Sequence, residues 1–396
     1  MKKRILILGG ARGQVDIIKK VKELGHYAIV ASIPGNFIGL ALADEVFYID
    51  ISDPKAVSNC VRDHQIDAVV TACLDTGIPA LGRACEDNGL VGLSAETAKI
   101  SANKLLMKQM FMENGVSTAK YMVVRTAEDA DMAKKTLSFP LIIKAVDLQG
   151  SRGINIVEDP KDFDAMLSDT MNETKEDYCI VEEFIVGYEF GAQAFVYGGE
   201  ILFIMPAGDI TFRSGTNVPV GHYVPMNFDE ETTARIEEQV TRAIKAIKLD
   251  NCAVNVDLLM RDGEIFVIEL TGRIGANCLS QLTSIYYNID INKMIVEAAL
   301  GINPKPYFEA TAKPGKCGYA KMLFSMQSGV VKKIENKNQE NPNIYEITLW
   351  VDKGDLVNQF KNSKNCIGQV VVTGDSMEEC ESLMEEVLSN IVVELE

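Results

Sequence analysis

The first ninety residues alternate between two hydrophobic periods, and that alternation restricts the fold more than any other feature. "KRILILGG", "YAIVAS", "EVFYID" and "DAVVTA" are short apolar runs with strand character. Between and after them, "GQVDIIKKVKELG", "PKAVSNCVRDHQ" and "TGIPALGRACEDNG" carry helical spacing, with Val15, Ile18, Val21 and Leu24 three or four apart in the first. Strand–helix alternation of this kind predicts a parallel sheet covered by helices. The opening "MKKRILILGG" reads as a buried first strand, because its apolar run stops at Leu8 and no small-residue cleavage site follows.

The rest of the chain changes character. "SAETAKISANKLLMKQMFMENG" is helical, "KYMVV" is a strand, and "AEDADMAKKTL" is a helix. "IIKAVDLQGSRGINIV" is a strand, a glycine-flecked loop and a second strand, with Lys144 ending the first. "YCIVEEFIVGYEFGAQAFVYGGEILFIM" is β-rich, with "YGGE" as a hairpin turn. A long helix, "DEETTARIEEQVTRAIKAIK", precedes a β pair, "CAVNVDLLMRDGEIFVIEL". "INPKPYFEATAKPGKCG" reads as a linker, and the C-terminal part has short strands and a closing helix, "SMEECESLMEEVLSN". The expected class is α/β and α+β multidomain: an open parallel α/β domain at 1–96, a two-lobed domain at 97–305 and a small β-rich domain at 306–396.

The chain has 396 residues and a net charge of −17, which argues against nucleic-acid or anionic-membrane partners, since both need a basic face. A polyanionic ligand must therefore be held by a few placed lysines and arginines. No run approaches the roughly 20 apolar residues of a membrane helix. The nine cysteines are scattered without metal spacing and read as buried thiols of a reducing cytoplasm.

Two places invite chemistry. "GGARGQ" follows the first strand, but "YAIVAS" ends in Ala31-Ser32, without the acidic residue a dinucleotide ribose requires. Gly9, Gly10 and Gly13 are expected to make a tight strand-to-helix turn. The second place is the "RDG" hairpin. A three-residue loop ending in a left-handed glycine would pair Met260 with Glu264, Asp257 with Val267 and Asn255 with Glu269, leaving Asn255, Asp257 and Glu269 on one face. A two-residue loop would turn the carboxylates apart. Two carboxylates with no basic residue on their face repel each other, and a hard cation such as Mg²⁺ resolves that; a solvated polar face is the alternative. Arg273 follows in "TGRIGAN", either as a fork for a carboxylate or phosphate or as a surface arginine.

Four segments in this order resemble the ATP-grasp superfamily of carboxylate–amine ligases: "ANKLLMKQMFMENGVSTAKY", "FPLIIKAVDLQGSRGI", "CIVEEFIVGYEF" and "NVDLLMRDGEIFVIELTGRIGAN". The resemblance covers nearly the whole chain and implies ATP and Mg²⁺. It places Lys104 and Lys144 on phosphate oxygens, with the loop of Gln149, Gly150, Ser151 and Gly153 closing over them. It places Glu182 and the backbone of Glu183 and Ile185 on the adenine edge, and Glu189 on the ribose. Asp257 and Glu269 hold the metal. The residue two beyond Glu269 is Thr271 where many members have Asn, so Asn255 is the candidate for the missing ligand. Lys144 and Arg273 are the catalytic candidates.

"TFRSGTNVPVGHYVP" and the segments after the hairpin resemble the L-amino-acid ligase branch, which makes Arg213, His222 and Arg273 candidates for the substrates; a structural role for His222 stays open. The implied reaction is acyl-phosphate formation followed by amide formation between small molecules. The alternatives are a purine-pathway or bicarbonate-using carboxylase or transferase, and a nucleotide-binding sensor without turnover. A homodimer through the first domain is compatible with the resemblance.

Overall fold

The structure, a computed structural model, describes residues 2–148, 152–214, 216–313 and 315–396, with the side chains at 213–217 outside the description. The chain divides into two compact units. The first comprises Met1–Ile204, Phe228–Arg273 and Lys293–Asn303; the second comprises Met205–Asn227, Ile274–Asn292 and Pro304–Glu396.

The first unit opens with the expected parallel sheet, in the order Glu45–Tyr48, Tyr27–Ser32, Arg4–Leu8, Ala68–Val70. Ile5, Leu6, Ile7 and Leu8 are fully buried, as a strand covered on both faces must be. The glycine turn is explained by close packing. Gly9 has φ +97°, and a Cβ on Gly13 would lie 2.7 Å from Cys73 Cβ. The helix Pro54–Asp63 starts where Asp53 accepts from the N–H groups of Lys55 and Ala56.

A four-stranded antiparallel sheet follows, in the order Tyr121–Val124, Cys179–Glu183, Leu141–Ala145, Ile154–Val157. Period-two alternation gives it two different faces. One face packs Val124, Leu141, Ile143, Cys179 and Val181 against Ala130, Ala133 and Phe163 of the helices Ala127–Thr136 and Phe163–Glu173. The other face carries Ile180 against Leu105, and with it Lys144 and Glu182. The third element of the unit is antiparallel: Glu264–Thr271 pairs with Cys252–Arg261, which pairs with Tyr188–Tyr197. The helix Glu230–Ala246 lies along this hairpin and buries Ile236, Val240, Ala243 and Ile244.

In the second unit, residues 208–214 pair with Thr216–Val224, followed in order by Cys317–Phe324, Cys366–Gly374 and Ile344–Leu349. Val370 and Val372 of this sheet pack on Cys380, Met384 and Val387 of the helix Met377–Ser389. Two expectations need correction. The supposed linker contains the helix Lys305–Thr311, since Pro306 falls in its first turn, where a missing N–H costs nothing. The helix Met377–Ser389 does not close the chain, because Ile391–Leu395 follows it as a strand paired with Gly329–Asn336. Among the described residues, no helix is long and apolar enough to cross a membrane, and none of the nine cysteines is in a disulfide.

Candidate active site

The hairpin brings its carboxylates together by a route different from the expected one. Asp262 and Gly263 have φ of +53° and +78°, so the loop has two residues and Arg261 pairs with Glu264. Alone, that register would set Asp257 against Ile268 and turn the acids apart. A bulge between Asp257 and Leu258 corrects it, and Asp257 lies directly opposite Glu269. The apolar frame of the return strand shifts accordingly, with Ile265 and Val267 buried before the bulge and Leu270 after it.

The expectation of no basic neighbour is also corrected. Lys104 opens the helix Lys104–Glu113 and places its Nζ 3.5 Å from Glu269 Oε2, while donating to the Leu148 carbonyl at 2.6 Å. Asn255 lies beside Asp257 but is turned to protein partners. Its amide nitrogen donates to Asp257 Oδ1 at 3.1 Å and its oxygen accepts from Gln193 Nε2 at 2.7 Å. In this arrangement both ends of the Asn255 amide are engaged by protein partners. Among the described residues, no group of three or more His, Cys, Asp or Glu side chains is arranged to hold a metal. Two facing carboxylates suit a cation that completes its shell from phosphates and water, which is the habit of Mg²⁺.

The second grouping is buried. Glu182 is 2 % exposed, and its Oε2 lies 3.1 Å from Lys144 Nζ and 2.9 Å from Lys108 Nζ. Burial alone would push the Glu182 carboxyl up; Lys108 and then Lys144 carry it below the usual carboxylate range. Burial pushes Lys108 down more than Glu182 lifts it. Glu182 Oε1 is buried without a hydrogen-bond partner among the described residues. Sequence reading missed Lys108, although it stands four residues after Lys104 and so on the same helix face.

Arg273 is held by a carboxylate that sequence reading also missed. Its Nε and Nη2 donate to Asp75 Oδ1 and Oδ2 at 2.6 and 2.8 Å, a two-point fork, and Thr271 Oγ1 donates to Oδ1 at 3.0 Å. Burial opposes ionisation of Asp75, but the Arg273 charge and hydrogen bonds hold its carboxyl below the ordinary value. Asp75 follows the strand Ala68–Val70, outside the carboxyl end of the parallel sheet, where open α/β folds place ligands. That placement was the available signal.

The other expected residues fall as follows. Gly153 has φ +61° and accepts at its carbonyl from the Ala145 N–H. Gln149, Gly150 and Ser151 lie outside the described residues. Glu183 accepts at Oε1 from the Ser138 N–H and donates its own N–H to Lys120. Ile185 is half-buried in the connector after Cys179–Glu183, and Glu189 is half-buried opposite Leu259. In the second unit, Arg213 pairs with Asn217 through the backbone and its side chain is outside the description. His222, 5 % exposed, has Nδ1 2.8 Å from Asp209 Oδ1 on the neighbouring strand.

Comparison with known proteins agrees with this geometry. Residues 137–281 match the ATP-grasp domain family, and residues 321–396 match the L-amino acid ligase C-terminal domain 2. A crystal structure of phosphoribosylglycinamide synthetase from Anaerococcus prevotii is 43 % identical, covers all of both chains and superposes with a TM-score of 0.89. An L-amino acid ligase from Bacillus licheniformis is 20 % identical over all of this chain and 99 % of its own, with a TM-score of 0.83, a likeness of fold. A formate-dependent phosphoribosylglycinamide formyltransferase of Prochlorococcus marinus is 23 % identical over 69 % of this chain and 70 % of its own. The facing carboxylates, Lys104 set against one of them and these matches lead to one conclusion: the chain belongs to the ATP-grasp family and is an ATP-dependent ligase that forms carbon–nitrogen bonds.

Proposed function

We propose that the protein uses ATP to convert a carboxylic acid to its acyl phosphate and joins the acyl group to the amine of an amino acid. The observation that carries this reading is the pairing of Asp257 with Glu269 in the same unit as the lysines Lys104 and Lys144. In this reading Lys144 and Lys104 meet phosphate oxygens, and the loop 149–153 is the proposed cover, with Ser151 and backbone N–H groups as donors. Glu182, Glu183 and Ile185 take the adenine edge, and Glu189 takes the ribose. Asp257 and Glu269 would hold Mg²⁺, which neutralises phosphate charge when bound. Asn255 orients Asp257.

The chemistry then needs positioning and charge stabilisation more than a protein nucleophile. A substrate carboxylate oxygen attacks the γ-phosphorus and ADP leaves. The amine attacks the carbonyl carbon, phosphate leaves, and the amine proton passes to solvent. Arg273, fixed by Asp75, stabilises the negative charge of the acyl phosphate. Arg213 and His222 are the substrate-side candidates of the second unit.

The match of residues 321–396 to an L-amino acid ligase domain favours an amino-acid amine. The full-length 43 % identity to a phosphoribosylglycinamide synthetase favours a second reading, in which the amide formed is phosphoribosylglycinamide. An ADP-release screen over pairs of acids and amines, with products weighed by mass spectrometry, separates them. A dipeptide or other amino-acid amide supports the first reading, and phosphoribosylglycinamide supports the second. ATP binding without ADP release in every mixture would mark a sensor and contradict both.

A further inference from the structure

The buried Lys108–Glu182–Lys144 grouping is out of balance. Two lysines converge on a single oxygen, Glu182 Oε2, at 2.9 and 3.1 Å, and all three side chains are at most 10 % exposed. Lys108 is held besides by Thr118 Oγ1 at 2.8 Å and the Ala119 carbonyl at 3.4 Å. These neutral acceptors fix its position without cancelling its charge. Buried ionic groups persist when each charge is met, so a buried cluster with one positive charge in surplus calls for an anion. The other acceptor oxygen of Glu182, Oε1, is buried and unpartnered among the described residues, so it has capacity to accept a further donor.

We infer that Lys108 is a positioning residue that neutralises Glu182 and so releases the charge of Lys144 for the triphosphate. Without Lys108, Lys144 and Glu182 would form a closed one-to-one pair. A lysine in such a pair attracts phosphate weakly, because the neighbouring carboxylate repels it. With Lys108 present, Glu182 is satisfied from the helix side, its free oxygen accepts from the base, and Lys144 faces the phosphates as a full cation. The helix Lys104–Glu113 would thereby serve both ends of the nucleotide site, with Lys104 directed to Glu269 and Lys108, one turn later, to Glu182. This inference rests on the reading above that Lys144 meets the triphosphate.

The test counts charges by equilibrium binding of ATP, adenosine and tripolyphosphate to the intact protein, with thermal melting to establish folding. Lys108→Met should weaken ATP and tripolyphosphate by about 10- to 100-fold, the range for losing one charge-assisted hydrogen bond, and leave adenosine within about threefold. Glu182→Gln should bind tripolyphosphate at least as tightly as wild type. The double variant restores the surplus of one and should return tripolyphosphate binding to within about threefold of wild type. Lys108→Met weakening adenosine as much as ATP, or the double variant adding one loss to another, would overturn the inference. If Lys108→Met does not fold, Glu182→Gln alone decides: weaker tripolyphosphate binding sinks it. Wild-type protein that binds neither ATP nor tripolyphosphate would instead contradict the reading of Lys144, and that result is distinguishable from either variant outcome.

Discussion

The two acid–lysine groupings of the first unit are opposites. At Glu182 two lysines face one carboxylate in a buried setting; at the hairpin one lysine, Lys104, stands 3.5 Å from one of two facing carboxylates, and Glu269 is 35 % exposed. At the first, lysines outnumber the carboxylate; at the second, two carboxylates face each other across the hairpin. A magnesium-bound triphosphate would supply an anion to the one and a cation to the other. The two fields also overlap, since Glu269 acts on Lys108 and Asp257 on Arg273. Two acid–lysine groupings of different composition, joined by one helix, are thus a more specific mark of this site than any single carboxylate or lysine in it.

A forked ion pair nearby serves as the control. Asp75 and Arg273 meet in a two-point fork, so removing the carboxylate should damage the fold first. Asp75→Ala takes both fork oxygens from a buried guanidinium and should cost about 3–5 kcal/mol in denaturant unfolding. Because the folded Asp75 carboxyl titrates below its ordinary value of 3.8, its contribution is present above that pH and fades as pH falls through the folded value. The gap between wild type and variant should therefore narrow below about pH 4; a gap constant to lower pH would remove the ion pair as its cause.

Lys144→Ala should lower ADP release by about 10²- to 10³-fold, as for loss of a charge-stabilising donor. That loss should persist at any Mg²⁺ concentration, whereas Glu269→Gln should be partly offset by raised Mg²⁺. Identical Mg²⁺ responses would erase the distinction between the groupings. A smaller effect is expected at Gly153, where φ is +61° and an added Cβ would lie 2.7 Å from Ala145 Cβ. Gly153→Ala should destabilise by about 1–3 kcal/mol, read from the urea midpoint. The smallest concerns the helix that supplies both lysines. Asn103 caps it by accepting from the Leu106 N–H at 3.1 Å, and Asn103→Ala should cost about 1 kcal/mol.

Much of this site was legible because its residues lie on strong local patterns. Lys144 ends an apolar strand before a glycine loop, and Asp257 and Glu269 alternate with hydrophobes that force one face inward. The facing of those acids was expected for the wrong local reason: Asp262 and Gly263 both accept left-handed backbone, so the loop stayed at two residues and a bulge supplied the shift. A bulge leaves no composition signal, because Ile268 suits either register. Asp75 offered only its place after a parallel strand, and its partner Arg273, 198 residues away, was not readable. Lys108 was readable in principle, four residues after Lys104, but its charge argued for solvent, and only the fold reveals the carboxylate that keeps it buried.

The central claim is that the facing carboxylates of the hairpin and the lysines at Glu182 together hold metal-bound triphosphate. The most direct measurement is ATP affinity across a Mg²⁺ titration, by calorimetry, in wild type and in Asp257→Asn/Glu269→Gln. The account predicts that Mg²⁺ tightens ATP binding in wild type and that the double variant loses this response while still binding ATP through Lys144. ATP affinity independent of Mg²⁺ in wild type, or the same Mg²⁺ response in both proteins, would contradict it.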